Sequence, residues 1–286
     1  MLNYSLGRYD VQMSIVIDQK IKLGVVNFLN ATPLIHGISC IDGIELIPRV
    51  PSELIRQLEI EAIDVALASS IDYQRSAAEL AILPIGVLSS DGESMTVQLC
   101  SRVPLKEIKV VHCDSDSHTS IALMAIILFE KYKIRPEIVK IDVQSIKRDD
   151  VSWPDSVLVI GDKVVTSHCE NEYDYCVDLG QAWKDLTGLP FVFATWFART
   201  NTPDNVIKKI SMVLERQLAC NEQRIEQVVS EYADERGWER PLAFLYLTSY
   251  IQYTFKTEHI KSIELFYALS KKCGFIEKVK PLVFLH

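Results

Sequence analysis

Apolar residues recur along this chain in two spacings, and the alternation between them sets the expected architecture. Short β-branched runs read as strands at residues 22–27, 45–50, 64–68, 81–88, 97–101, 109–113, 138–141, 156–160 and 191–198. Helical stretches lie between them. One spans 52–61, opened by Pro51 and Ser52. A second spans 119–133, where Ala122, Leu123, Met124 and Ala125 favour helix over a buried strand, and Arg135-Pro136 stops it. Strands that alternate with helices need crossover connections and therefore largely parallel sheets.

Beyond Pro203 the period changes. Residues 205–231 place Ile207, Ile210, Leu214, Leu218, Ile225 and Val229 on one helical stripe with charges between. Residues 256–272 repeat this through Ile260, Ile263, Phe266 and Leu269, with Cys273-Gly274 as the cap. This tail is expected to pack on a preceding sheet. The sequence shows no internal repeat and no low-complexity linker.

Composition narrows the function classes. The chain has 286 residues, 48% hydrophobic and 24% charged, as expected of an ordinary globular protein. A net charge of -8 argues against a nucleic-acid surface, which needs clustered Lys and Arg. It leaves room for a small anion, because local donors outweigh a distant acidic surface. The longest apolar run, 121–129, is short of the roughly 20 residues a membrane span needs. The N-terminus lacks a basic start followed by an apolar core, so a cytoplasmic location is expected. The seven cysteines, with no Cys-x-x-Cys pair, read as buried free thiols, and neither disulfide framework nor zinc site is expected.

Three polar turns at strand ends are candidate sites, because ligands of open α/β sheets bind there. The first runs from Asn27 through Asn30 and Thr32 to Leu34, and taken alone reads more readily as a capped turn into a helix. The second, Ser89 to Ser94, carries Asp91-Gly92, a strong turn signal between two strands. The third, Asp114 to Ser120, crowds Ser115, Ser117, Thr119 and Ser120 onto one helix start, which suits an anion or a plain N-cap. His118 stands among them as a ligand contact or a solvated histidine, and Asp162 after Gly161 contacts a ligand or caps a helix. No Gly-x-Gly-x-x-Gly, P-loop or Gly-x-Ser-x-Gly elbow is present, so cofactor-dependent hydride or phosphoryl transfer has no support and no cofactor or metal is expected.

At these motifs the chain resembles the chorismate dehydratases of the futalosine route to menaquinone, from about Lys22 to the C-terminus. The supporting stretches include Leu23 to Asn30 with Pro33-Leu34, Asp64-Val65-Ala66-Leu67 with Asp72-Tyr73, Ser90-Asp91-Gly92, and Ser117-His118-Thr119-Ser120. Ile160-Gly161-Asp162, Asp178-Leu179-Gly180 with Trp183, and Thr187 to Ala194 complete them. The resemblance implies an α/β fold like type II periplasmic binding proteins, two α/β lobes around a central cleft. Its first lobe would hold residues 20–106 and 195–286 and its second 107–194, with chain crossings near 103–109 and 191–200. It further implies loss of water from chorismate to give 3-[(1-carboxyvinyl)oxy]benzoate, Asn30 as the catalytic residue, and substrate contacts from Asn27, Thr32, Ser69, Ser90, Asp91, Gly92, Ser117, His118, Thr119, Ser120 and Asp162.

Two positions depart from the family pattern. His118 replaces a usual arginine, and Glu93-Ser94 replaces a Pro-small pair. The first removes a permanent positive charge and the second adds a negative one. A cytoplasmic binding protein or sensor for a small aromatic carboxylate is the alternative, and 1,4-dihydroxy-6-naphthoate synthase a third reading, against which the Asn30 turn argues. A monomer and a homodimer fit equally.

Overall fold

The computed structural model describes residues 20–114, 118–143 and 152–286. Ser117 lies outside the described residues. Two five-stranded sheets form the body. The first has the order β2-β1-β3-β10-β4, with β1 Ile21–Val25, β2 Ile44–Pro48, β3 Val65–Ser69, β4 Leu80–Ser90 and β10 Phe191–Arg199. The second has the order β7-β6-β8-β5-β9, with β5 Val97–Ser101, β6 Val110–Asp114, β7 Glu137–Ile141, β8 Ser156–Ile160 and β9 Tyr175–Asp178.

The sheets are mixed, where largely parallel sheets are expected from the alternation of elements. In the first, β1 runs parallel to β2 and β3 while β10 lies antiparallel between β3 and β4. In the second, β6 runs parallel to β7 and β8 while β5 lies antiparallel to β8 and β9. The reason is topological: β5 and β10 are entered by chain that has just crossed between sheets rather than returned over a helix. All five residues of β3 and of β8 are buried, which matches apolar runs covered on both faces.

Strand membership places the crossings earlier than residues 106 and 194. Val97–Ser101 pairs wholly within the second sheet, and Phe191–Arg199 wholly within the first. The Ser89–Ser94 segment is therefore the outward crossing and not a hairpin.

The helices used below are α1 Thr32–Ile35, α2 Pro51–Glu59, α3 Ser70–Arg75, α4 His118–Ile127, α5 Asp162–Ser167, α6 Leu179–Thr187, α7 Asp204–Glu222, α8 Ile225–Tyr232, α9 Arg240–Leu245 and α10 Thr257–Lys272. The expected single helix over 205–231 breaks at Gln223 and Arg224, where Arg224 leaves helical geometry at φ -121°, ψ 30°. A wide π-type turn, Tyr246–Tyr250, extends α9. Among the described residues no helix is long and apolar enough to cross a membrane.

One apolar core runs through both lobes, so the cleft between them is closed at its back. Aromatic rings make the joint: Trp183 of α6 lies edge-on to Phe191 of β10 at 5.3 Å and to Phe266 of α10 at 6.1 Å. The Trp183 indole N–H donates to Ser262 Oγ at 3.1 Å.

The cysteines correct one expectation. Cys100 and Cys176 form a disulfide. They stand directly opposite each other in the β5–β9 register, with Cα atoms 4.2 Å apart. Their sequence separation of 76 concealed the pairing, because β9 is a strand that the apolar pattern does not announce.

Candidate functional site

Between the sheets lies a narrow cleft of about 70 Å³ that opens to solvent. Its wall is built from strand ends of both sheets: Leu67 and Ser69 from β3, Leu88 from β4, Val97 from β5, Ile160 from β8, and Phe193 and Ala194 from β10. Phe28, Asn30, Thr96, Ser120, Gly161 and Ile251 complete most of the rest. Among the described residues, the lining includes no Lys, Arg, His, Asp or Glu.

Asn30 enters this wall because β1 ends in a tight turn. Ala31 N–H bonds to Phe28 O at 3.1 Å, and Thr32 Oγ1 donates to Leu29 O at 2.7 Å, coiling the chain into α1. Pro33 sits in its first turn, where no N–H is needed. Asn30 is left pointing inward. Its Nδ2 donates to Tyr246 Oη at 3.2 Å, while its Oδ1 is buried without a hydrogen-bond partner among the described residues. An orphaned buried acceptor in a cleft wall is a costly arrangement that a ligand N–H or O–H would satisfy.

Behind Asn30 runs a short hydroxyl chain. Thr96 Oγ1 and the Tyr246 hydroxyl share a hydrogen bond at 2.7 Å, and Thr96 Oγ1 lies 3.5 Å from Ser94 O. Tyr246 is fully buried, and burial holds its phenol well above the usual range. It remains protonated at any physiological pH.

Asp162 opens α5 just after Gly161. Gly161 adopts φ +62°, and a side chain there would meet the Phe28 ring at 3.3 Å, so glycine is required. The Asp162 carboxylate accepts from Leu29 N–H at 3.2 and 3.3 Å and from the Trp238 indole N–H at 3.0 Å. Burial raises its pKa to about 6, against the Trp238 and Leu29 donors and the nearby Arg236 charge. It ties the lobes together and does not line the cleft.

Of the residues singled out in the sequence, Asn30, Ser69 and Ser120 stand on the cleft wall. Of the remaining ones, those that the structure describes are engaged elsewhere. Asn27 is exposed and accepts from Arg236 Nη2 at 2.6 Å. Thr32 is spent on its own turn. Ser90 Oγ donates to Gly92 O at 3.0 Å, Gly92 adopts φ +120°, and Asp91 pairs with Lys184 on the surface. His118 Nδ1 lies 2.9 Å from Asp72 Oδ1, a buried carboxylate of α3. Thr119 Oγ1 accepts from Ile71 N–H at 3.1 Å and so caps α3 from across the lobe boundary. These turns and caps are structural readings that the motifs equally allowed.

Sequence reasoning missed Thr96, Tyr246, Trp238 and Asp72 as parts of the site. Tyr246 and Trp238 sit more than two hundred residues from Asn30 in a helical tail whose pattern speaks only of packing. No local signal marks them.

The comparisons agree with this architecture. The family model described as "Menaquinone biosynthesis" matches residues 21–272. A chorismate dehydratase from Thermus thermophilus is 27% identical over 202 residues, 63% of this chain and 70% of that protein. Among solved structures, a structural-genomics protein from Archaeoglobus fulgidus superposes with a TM-score of 0.72 at 14% identity, covering 90% of this chain and 98% of that one. The periplasmic aliphatic sulphonate binding protein of Escherichia coli does so at 0.64 and 13%, covering 94% of each. At such identity these structures speak for the fold, two α/β lobes of the periplasmic-binding-protein kind, and for nothing more.

Proposed function

The chain belongs to the menaquinone biosynthesis family, and from that premise we propose that it is a chorismate dehydratase, a carbon–oxygen lyase. The substrate would be chorismate and the products 3-[(1-carboxyvinyl)oxy]benzoate and water. The observation that carries this reading is Asn30, a cleft-wall residue whose Oδ1 is buried without a partner among the described residues, in a wall whose described residues include no ionisable side chain.

Such a cleft imposes a particular chemistry. An amide is no base, so the proton from C3 must go to a group that the substrate brings. A carboxylate moved from water into this apolar wall becomes more basic, because desolvation disfavours its charge. In the proposed step the enolpyruvyl carboxylate takes the C3 proton as the C3–H electron pair forms the ring double bond. The C4–O bond breaks, and the departing hydroxide recovers that proton to leave as water. Aromatisation of the ring supplies the driving force. Asn30 Oδ1 would accept from the C4 hydroxyl and hold the ring in register, a positioning effect of the kind worth several orders of magnitude. Phe28 and Phe193 offer faces for the flat ring. Ser69 and Ser120, with the start of α4, would meet the second carboxylate without a cation.

The proposed setting is the cytoplasm. The Cys100–Cys176 bridge is the observation against it, since disulfides are rare there. Incubation of the protein with chorismate, followed by mass spectrometry, tests the function. Loss of one water with appearance of the enolpyruvyl benzoate supports it. Tight binding of chorismate with no product would instead support a binding protein.

A further inference from the structure

The contacts around Asn30 close into a ring. Leu29 N–H and Asn30 Nδ2, neighbours on one turn, donate to Asp162 and to Tyr246 respectively. Asp162 also accepts the Trp238 indole N–H, and the Trp238 indole stacks on the Tyr246 ring at 4.8 Å with 15° between planes. The ring of contacts therefore returns to its start. Tyr246 adds a branch, sharing a hydrogen bond with Thr96 at the entry to β5. Three parts of the chain meet in it: the Asn30 turn from the first sheet, Thr96 and Asp162 from the second, and Tyr246 with Trp238 from the C-terminal helices.

An asparagine amide has two faces of opposite character. Turned one way it offers the cleft an acceptor, and turned the other way a donor. Nothing in the apolar wall chooses between them. The Tyr246 hydroxyl accepts from Nδ2 at 3.2 Å and so holds the amide by that end. Burial of Tyr246 and Thr96 keeps water from replacing the contact between them.

We infer that Tyr246 is a positioning residue for Asn30: its hydroxyl holds the Nδ2 end of the amide, and the Thr96 contact makes that hold depend on closure of the lobes. Its effect on turnover rests on the dehydratase reading, while its effect on the amide does not.

Tyr246→Phe removes only the hydroxyl and keeps the ring stacked on Trp238. Thr96→Val provides a second variant that removes the Thr96 contact and leaves Tyr246 in place. Two readouts are needed: steady-state kinetics with chorismate, and the side-chain NH₂ resonances of Asn30 in protein labelled with ¹⁵N-asparagine. The expected result is a kcat lowered about ten- to a hundred-fold with KM little changed, as misplacement of a reacting group produces. The Asn30 NH₂ pair should also lose its hydrogen-bonded shift in Tyr246→Phe. Wild-type kcat in that variant, or an equal rise in KM instead of a fall in kcat, would overturn the inference. Should the wild-type protein leave chorismate unchanged, the dehydratase reading falls alone, and the NH₂ resonances still decide. Unchanged Asn30 resonances in Tyr246→Phe would refute the positioning role, and altered ones would sustain it.

Discussion

The Asp162 carboxylate, on the second lobe, accepts the main-chain N–H of Leu29 on the first, with its two oxygens at 3.2 and 3.3 Å. This bond holds the turn that carries Asn30 against the opposite lobe. Burial raises the carboxyl from 3.8 to about 6, so the folded chain keeps its proton more tightly than the unfolded chain does. The stability that this proton contributes is full below about pH 3.8 and is lost as pH rises through about 6. Asp162→Asn does not titrate. Urea unfolding of both proteins between those limits should show the variant gaining on wild type as pH rises. A difference that stays constant with pH would contradict this.

His118 occupies the position where family members carry arginine, yet its ring is committed to Asp72 at 2.9 Å rather than to the cleft. Asp72 is nearly inaccessible to solvent. His118→Ala should lower stability by about 1–3 kcal/mol by leaving a buried acceptor unpaired. Its effect on chorismate binding should be small. Denaturant titration and calorimetric binding check the two halves, and loss of binding without loss of stability would place His118 at the ligand instead.

Gly180 lets α6 approach the Ser90–Ser94 crossing. A Cβ there would lie 2.5 Å from Ser90 Oγ and 2.6 Å from Gly92 O. Gly180→Ala should therefore destabilise the chain by about 1–3 kcal/mol, as overpacking does. Thermal unfolding measures it, and an unchanged midpoint would mean that the crossing yields freely.

The Cys100–Cys176 bridge lies between β5 and β9, and neither residue lines the cleft. Alkylation before and after reduction should reveal two additional thiols, and reduction should leave turnover of chorismate unchanged. Equal thiol counts would show that the two cysteines are free in solution.

Much of the fold was legible in the residues because strands buried on both faces write themselves as apolar runs. Val65–Ser69 and Ser156–Ile160 are such runs, and both were placed within a residue. Tyr175–Asp178 was not, because an edge strand with exposed Tyr175 and Cys176 carries little hydrophobic pattern. The direction of β5 and β10 was hidden too, since apolar content does not encode which sheet a crossing strand joins. In the site, Asn30 stands out only through the family resemblance, because its turn also reads as a capped turn. Ser90, Thr32 and Thr119 could not be separated from it, since a hydroxyl that caps a turn and one that meets a ligand look alike in sequence. Tyr246 was invisible because its role depends on a contact between residues 216 apart.

The most direct measurement compares wild type with Asn30→Ala for both chorismate binding and release of 3-[(1-carboxyvinyl)oxy]benzoate. The expected result is product from wild type, with the variant binding chorismate but turning over about a hundred-fold slower or less, as loss of one preorganised polar contact produces. Product formed by Asn30→Ala at the wild-type rate would contradict the central role of the unpartnered Oδ1.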